Sequence, residues 1–154
     1  MKSFKEKVAV ITGAGSGMGR YLAVLLAKDG ADVCVCDVNE ETLNETVAML
    51  RKYNVSVSSH LLDVSDKESI EALPQKVIDQ HGKVDLVFNN AGVTTGAHFK
   101  DMDEDNWNWV MGINFNGVVN STRAFIPHLI NNSEAAIVNT SSIFGMVAVP
   151  GQTV

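Results

Sequence analysis

The stretch Val8-Ala9-Val10-Ile11-Thr12-Gly13-Ala14-Gly15-Ser16-Gly17-Met18-Gly19 decides how the rest of the chain reads. Val8 to Ile11 form a short continuous apolar run, the pattern of a strand buried on both faces. Glycines break it, and Tyr21, Leu22, Leu25 and Leu26 then resume at helical spacing, ending near Gly30. A strand, a glycine turn and a helix in that order bring helix N-terminal amides and bare backbone to one place, where they can hold a phosphate. The spacing is Gly13-x-x-x-Gly17-x-Gly19, with Met18 where G-x-G-x-x-G would put its last glycine. A P-loop is excluded, because no Lys-Ser/Thr follows at the required distance. Ser16 has Ala14 two residues before it, which excludes the nucleophile elbow of hydrolases.

Outward from that loop the chain alternates between strand and helix patterns. Residues 31–36 read as a second strand. Asn39 can cap the next helix, with Glu40 and Glu41 in its first turn, Arg51 and Lys52 in its last, and Leu43, Val47 and Leu50 on one face. Residues 55–62 supply a third strand. Ser65-Asp66-Lys67-Glu68 matches a capping box that opens a helix with Ile70, Leu73, Val77 and Ile78 inward, and Pro74 must bend or restart that helix. Residues 84–88 read as a fourth strand, followed by a long loop rich in Gly and Thr. Asp101, Asp103, Glu104 and Asp105 then mark a solvated helix start. Phe115, Val118, Val119, Thr122, Phe125, Ile126 and Leu129 keep helical spacing through residue 130, with a kink expected at Pro127, and residues 136–140 form a fifth strand. Short links between alternating strands and helices mean a parallel sheet with helices on both faces. No repeat or linker interrupts residues 1–154, so one domain is expected.

The composition bounds the function. The chain has 154 residues, 12 Lys and Arg against 18 Asp and Glu, and is 45% hydrophobic and 19% charged. That apolar content suits a folded globular domain and excludes disorder. An acidic chain gives no electrostatic reason to expect nucleic acid or an anionic membrane as partner. No apolar run approaches membrane-spanning length. Cys34 and Cys36 lie two apart on one strand face, poorly placed to pair with each other, and read as reduced, buried and cytoplasmic. The four histidines, His60, His81, His98 and His128, have no metal-ligand spacing, so no metal is expected. From Asn106 to Val154 only Arg123 and Glu134 carry charge. A segment that poor in charge is ill equipped to face water.

Asp37 strengthens the reading of the glycine loop. It ends the second strand, 20 residues after Gly17. A carboxylate there can accept both hydroxyls of an adenosine ribose and repels a 2′-phosphate. NADP would call for a nearby cation, whereas the positions beside it are Ser16 and Val38, so NAD is the expected cofactor. A plain turn residue is the alternative for Asp37.

The set Thr12-Gly13-x-x-x-Gly17-x-Gly19, Asp63-Val64, Asn89-Asn90-Ala91-Gly92, Asn114 and Ser141-Ser142 resembles the short-chain dehydrogenase/reductase family from Lys7 to the last residue. The resemblance implies a three-layer α/β, Rossmann-type doubly wound parallel sheet, here truncated after its fifth strand. It places Gly13, Ser16, Gly17, Met18, Gly19 and Asp37 on the cofactor, Asp63 and Val64 on the adenine, and Asn90, Ala91 and Gly92 along the cofactor cleft. The family's catalytic Asn falls on Asn114, holding a proton-relay water; a helix kink or cap is the alternative. The family's catalytic Ser falls on Ser142, bonded to the reacting oxygen; satisfying backbone at a strand end is the alternative. The family's Tyr-x-x-x-Lys, its general acid/base and the Lys that tunes it, would fall roughly a dozen residues past Ser142, at or just beyond Val154. Neither Tyr21, in the first helix, nor Tyr53, at the end of the second, can stand in.

Three functions are therefore open. One is an NAD-dependent alcohol dehydrogenase or carbonyl reductase acting on a small alcohol or carbonyl compound, of which these residues are the N-terminal part. The others are a non-catalytic NAD-binding module and a fragment that pairs with a second copy of itself. The uncovered helix and edge strand that truncation would leave favour a homo-oligomer.

Overall fold

The computed structural model describes residues 3–147 and 150–151. Its centre is β1 (Val8–Thr12), all five residues of which are buried. Around it stand β2 (Asp32–Asp37), β3 (Val57–Leu61), β4 (Leu86–Asn89) and β5 (Ala136–Asn139), in the order β3-β2-β1-β4-β5. Every neighbouring pair is parallel, with Val10 opposite both Cys34 and Val87. The strand order reverses its direction of travel at β1, between β2 and β4. In a parallel sheet that is where a crevice opens beyond the carboxyl ends of the strands.

Alternation along β1 splits the core. Val8 and Val10 join Cys34, Cys36, Ile70, Leu73, Val77, Val87 and Phe125 on one face. Ala9 and Ile11 join Ala23, Leu26, Val33, Val35, Leu43 and Leu50 on the other. The first face is covered by α3 (Lys67–His81) and α5 (Val118–Leu129), the second by α1 (Gly17–Lys28) and α2 (Glu40–Leu50). Helices on both faces of a parallel sheet make the doubly wound α/β fold that the alternating pattern implied. The cysteines are free and buried on the first face, as their spacing suggested. The neighbouring Cys36 thiol pulls the Cys34 thiol's pKa down, and the Cys34 thiol in turn, with burial, pushes that of Cys36 up.

Several local readings need correction. The N-cap of α3 is Asp66, whose carboxylate accepts from Glu68 N–H at 3.2 Å; Ser65 instead donates its N–H and hydroxyl to Asp63. Pro74 neither stops nor restarts α3, which runs on to His81 with Pro74 buried. Tertiary packing of Ile70, Leu73 and Val77 into the core outweighs the one lost backbone bond. Pro127, where a kink is expected, lies inside α5, which runs on to Leu129. The second helix ends at Leu50, leaving Arg51 as its cap and no basic residue in its last turn. Tyr53 lies beyond that end and packs against the α2 face of the core. The helical stretch before β5 begins where its acidic run marked the start, but it is not one regular helix: α4 (Glu104–Met111) passes into a π turn over Gly112–Gly117 and then into α5.

At the β5 side of the sheet apolar surface remains in solvent. Only Ile137 of β5 packs against the core cluster. Phe4, Leu86, Phe88, Ile130 and Val138 line an apolar depression on one face of β4 and β5. Trp109, Phe115, Ile126 and Ile130 are exposed on the α4–α5 stretch. Among the described residues no helix is long and apolar enough to cross a membrane.

Candidate functional site

A cleft of about 350 Å³ opens beyond the carboxyl ends of β1, β2 and β4. Its wall brings together Gly13, Ser16, Gly17, Met18, Asp37, Asp63, Val64, Asn90, Ala91 and Gly92, with Val38, Leu62, Val93 and Ile113 completing it. Residues from five separate segments therefore converge on one crevice. Gly19, expected among the cofactor contacts, is not on the wall. It is buried in α1, where an added Cβ would stand 2.2 Å from the Gly13 carbonyl oxygen and 2.6 Å from Asn90 Nδ2. Its bareness lets α1 pack against the strand end, which is the third glycine's part in dinucleotide-binding turns.

The glycine loop is shaped by what it must pass. Gly13 has φ +64°, and a Cβ there would lie 2.8 Å from Ala91 Cα, so only glycine fits between the loop and the segment after β4. Helix α1 starts at Gly17, with no side-chain cap from Ser16 and no acidic residue in its first turn. Its leading amides thus lack both a side-chain partner and a local counter-charge. At a helix N-terminus that combination favours an anion from outside.

Asp37 sits at the end of β2 on the opposite side of the loop. Its Oδ2 accepts from Gly15 N–H at 2.8 Å and its Oδ1 from Asn39 N–H at 2.9 Å. Each oxygen retains acceptor capacity, since a carboxylate has about four lone-pair sites. The expectation that no cation stands near this loop needs amendment, because Arg20 reaches it from α1. Its guanidinium is committed elsewhere, to the carbonyls of Gly15 and Thr42, to Thr46 Oγ1 and to Glu45. It forms no part of the cleft wall.

Thr12 ties the loop to the segment after β4. Its buried hydroxyl oxygen accepts from the N–H groups of Asn90 at 3.0 Å and Ala91 at 3.1 Å. Asn90 Nδ2 donates back to the Thr12 carbonyl at 3.2 Å, and Thr140 Oγ1 bonds Asn90 Oδ1 at 3.2 Å. Neither Thr12 nor Arg20 was singled out as a site residue by the sequence. Thr12 could have been, as the only polar residue of a buried strand.

Asn114 lies in the π turn. Its side chain makes a two-point bond to the backbone of Val93, accepting from N–H at 2.9 Å and donating to the carbonyl at 2.8 Å. Both amide functions therefore pin the loop after β4 at the cleft wall. Ser142 follows β5 and accepts from Phe144 N–H at 3.2 Å, capping a short 3₁₀ turn over Ile143–Gly145. It is exposed and lies outside the cleft wall. The structure joins Asn114 to the cleft through Val93 and leaves Ser142 apart from it.

The histidines divide. His98 precedes a 3₁₀ turn and His128 lies on α5, but His81 packs a ring nitrogen 2.7 Å from Ser58 Oγ, and buried His60 Nε2 has no partner. Among the described residues no group of three or more His, Cys, Asp or Glu is arranged to hold a metal ion.

Comparison with known proteins places this geometry. The family described as short chain dehydrogenase matches residues 7–154. SadH of Mycobacterium tuberculosis, named as an oxidoreductase, is 42% identical over 158 residues, covering 99% of this chain and 55% of SadH. A short chain dehydrogenase/reductase from Burkholderia phymatum, solved in complex with NAD, superposes with a TM-score of 0.95 at 40% identity, over 99% of this chain and 54% of that one. Carveol dehydrogenase from Mycobacterium avium, also solved with NAD, gives a TM-score of 0.91 at 31% identity, over 96% of this chain and 58% of that one. The chain thus spans about half the length of the relatives it matches.

Proposed function

The chain belongs to the short-chain dehydrogenase family, and on that premise we propose that its cleft holds NAD(H) in an oxidoreductase acting on an alcohol or carbonyl compound. The observation that carries the proposal is the convergence of an uncapped helix N-terminus and the Asp37 carboxylate on one crevice. NAD, when bound there, would supply the hydride acceptor or donor. The NAD complexes of the Burkholderia and M. avium relatives support the choice of cofactor.

The roles of this chain's residues follow from their chemistry. Gly13, Ser16, Gly17 and Met18 present backbone amides and the α1 dipole to the pyrophosphate. The free lone pairs of Asp37 accept the two ribose hydroxyls, and its charge repels a 2′-phosphate. Asp63 and Val64 flank the adenine. Asn90, Ala91 and Gly92 line the path toward the nicotinamide. Asn114 keeps that path in shape through Val93. Its Oδ1 and Nδ2 each spend one bond on Val93 and keep one lone pair and one hydrogen, with which the side chain could still hold a relay water. Ser142 is proposed to donate its hydroxyl to the substrate oxygen, a role compatible with its bond to Phe144 N–H, in which its oxygen only accepts. A hydroxyl polarises that oxygen without supplying a proton at neutral pH. The 154 residues contain no Tyr-x-x-x-Lys. This polypeptide alone is accordingly expected to bind the cofactor with little or no turnover. Exposed Trp109, Phe115, Ile126 and Ile130 support the further expectation of self-association.

The test is a thermal-shift titration with NADH and with NADPH. NADH should raise the melting temperature more than NADPH does, and Asp37→Ala should remove most of the difference. A larger shift with NADPH on the unaltered chain would refute the role given to Asp37.

A further inference from the structure

Arg20 is a cation at the glycine loop that faces away from the cleft. Its Nε donates to Thr46 Oγ1 at 3.0 Å, and its Nη2 donates to the Thr42 carbonyl at 3.0 Å, to Glu45 Oε2 at 2.7 Å and to the Gly15 carbonyl. Thr46, fully buried, donates its own hydroxyl to the Ala14 carbonyl at 2.9 Å. The carbonyls of Ala14 and Gly15 are thereby both drawn toward α2. On the other side, Gly15 N–H is held by Asp37 at 2.8 Å. Gly15 is gripped at both ends, its N–H by a carboxylate and its C=O by a guanidinium. An unpinned glycine could rotate its peptide units and turn a carbonyl toward the cleft, where it would repel a phosphate. A Cβ on Gly15 would stand 2.6 Å from Thr42 Oγ1 and 2.7 Å from Asp37 Cγ, so any other residue there would have to push those side chains aside.

We propose that Arg20 is a positioning residue for the dinucleotide's phosphates, keeping the loop's carbonyls outward by holding Gly15 and, through Thr46, Ala14. It touches no ligand. Glu45 balances its charge and helps keep it off the cleft, so it does not serve as a 2′-phosphate receptor. The proposal rests on the reading of the cleft as an NAD site, and it assigns Arg20 a part distinct from that of Asp37. Asp37 discriminates between cofactors, whereas Arg20 sets the affinity for any ligand that carries the pyrophosphate.

The experiment measures binding of NADH, NADPH, ADP and adenosine to the chain and to its Arg20→Gln and Arg20→Lys variants, with circular dichroism as the check on folding. Loss of a charge-assisted bond network predicts that R20Q weakens NADH and ADP by about tenfold and adenosine by less than about twofold. The NADH-to-NADPH ratio should stay as in the unaltered chain. R20K should fall between the two, because an ammonium can still donate to the Gly15 carbonyl but not to four acceptors at once. If R20Q does not fold, R20K carries the same comparison of ADP with adenosine. Unchanged ADP affinity in the variants, or an equal loss for adenosine, overturns the proposal and leaves the NAD reading standing. An unaltered chain that binds neither NADH nor ADP overturns both.

Discussion

At the scale of single residues, the site depends on groups that satisfy backbone as much as on groups that face the cleft. Thr12 is the clearest case. Its one hydroxyl, buried at the end of β1, accepts two amide hydrogens from Asn90 and Ala91 and so fixes where the segment after β4 begins. Thr12→Val preserves shape but orphans both amides. An unpaired buried donor costs about 1–3 kcal/mol. The variant should therefore lose stability of that order in urea unfolding and bind NADH more weakly, while an unchanged midpoint would mean the two amides find other partners. Asp37 and the glycines could be read from the sequence because their spacing reflects a demand local to the chain. Arg20 and Thr46 could not, since the residues they brace are brought to them only when α2 packs beside α1. Gly19 was legible as a required glycine, but its reason, the approach of α1 to Gly13, lies in packing rather than in ligand contact.

Among the elements, strands proved more legible than helix ends. Continuous apolar runs place β1, β2 and β4 within a residue or two, because burial on both faces leaves no other pattern. Caps are set by which of several adjacent oxygens reaches a free amide, and at α3 Asp66 takes that place although Ser65 fits the capping-box spacing. The π turn at Gly112–Gly117 has no signal in apolar periodicity. Its Gly117 lies against Val64, where a Cβ would come within 3.0 Å of Cγ2, and Asn114 is anchored to Val93 in the same turn. The start of this long helical stretch carries a pH dependence. Asp103 accepts from Asn106 N–H and Nδ2, each at 2.7 Å, which holds its carboxyl below the ordinary 3.8. A carboxyl depressed on folding contributes stability above its unfolded pKa and loses it as pH falls through the folded value. Asp103→Asn keeps the cap without the titration. The wild-type advantage over D103N in chemical unfolding should be present near neutrality and shrink below pH 3.8; an advantage constant with pH would show that the cap does not titrate with folding.

For the molecule as a whole, the proposed cofactor cleft lies at one end of the sheet and a buried anchoring carboxylate at the other. Toward the amino ends of the strands, Asp85 is buried, accepts from Val8 N–H at 2.9 Å and pairs with Lys83 at 3.0 Å. Toward the carboxyl ends, segments 13–18, 37–38, 62–64 and 90–93 converge on the cleft beside β1, where the strand order turns. That convergence follows from strands that all run parallel and so bring their carboxyl ends to one side, which was implicit in the alternation of strand and helix. The placement of Ser142 outside the cleft wall was not, because nothing in the residues around it shows where the chain turns after β5. The central claim, that this crevice is the NAD site, is tested most directly by hydrogen exchange with and without NADH. Protection should appear at residues 13–19, 37–38, 62–64 and 90–93, with none at the Asp85 end. Protection absent from the glycine loop, or found only at the opposite end of the sheet, would contradict it.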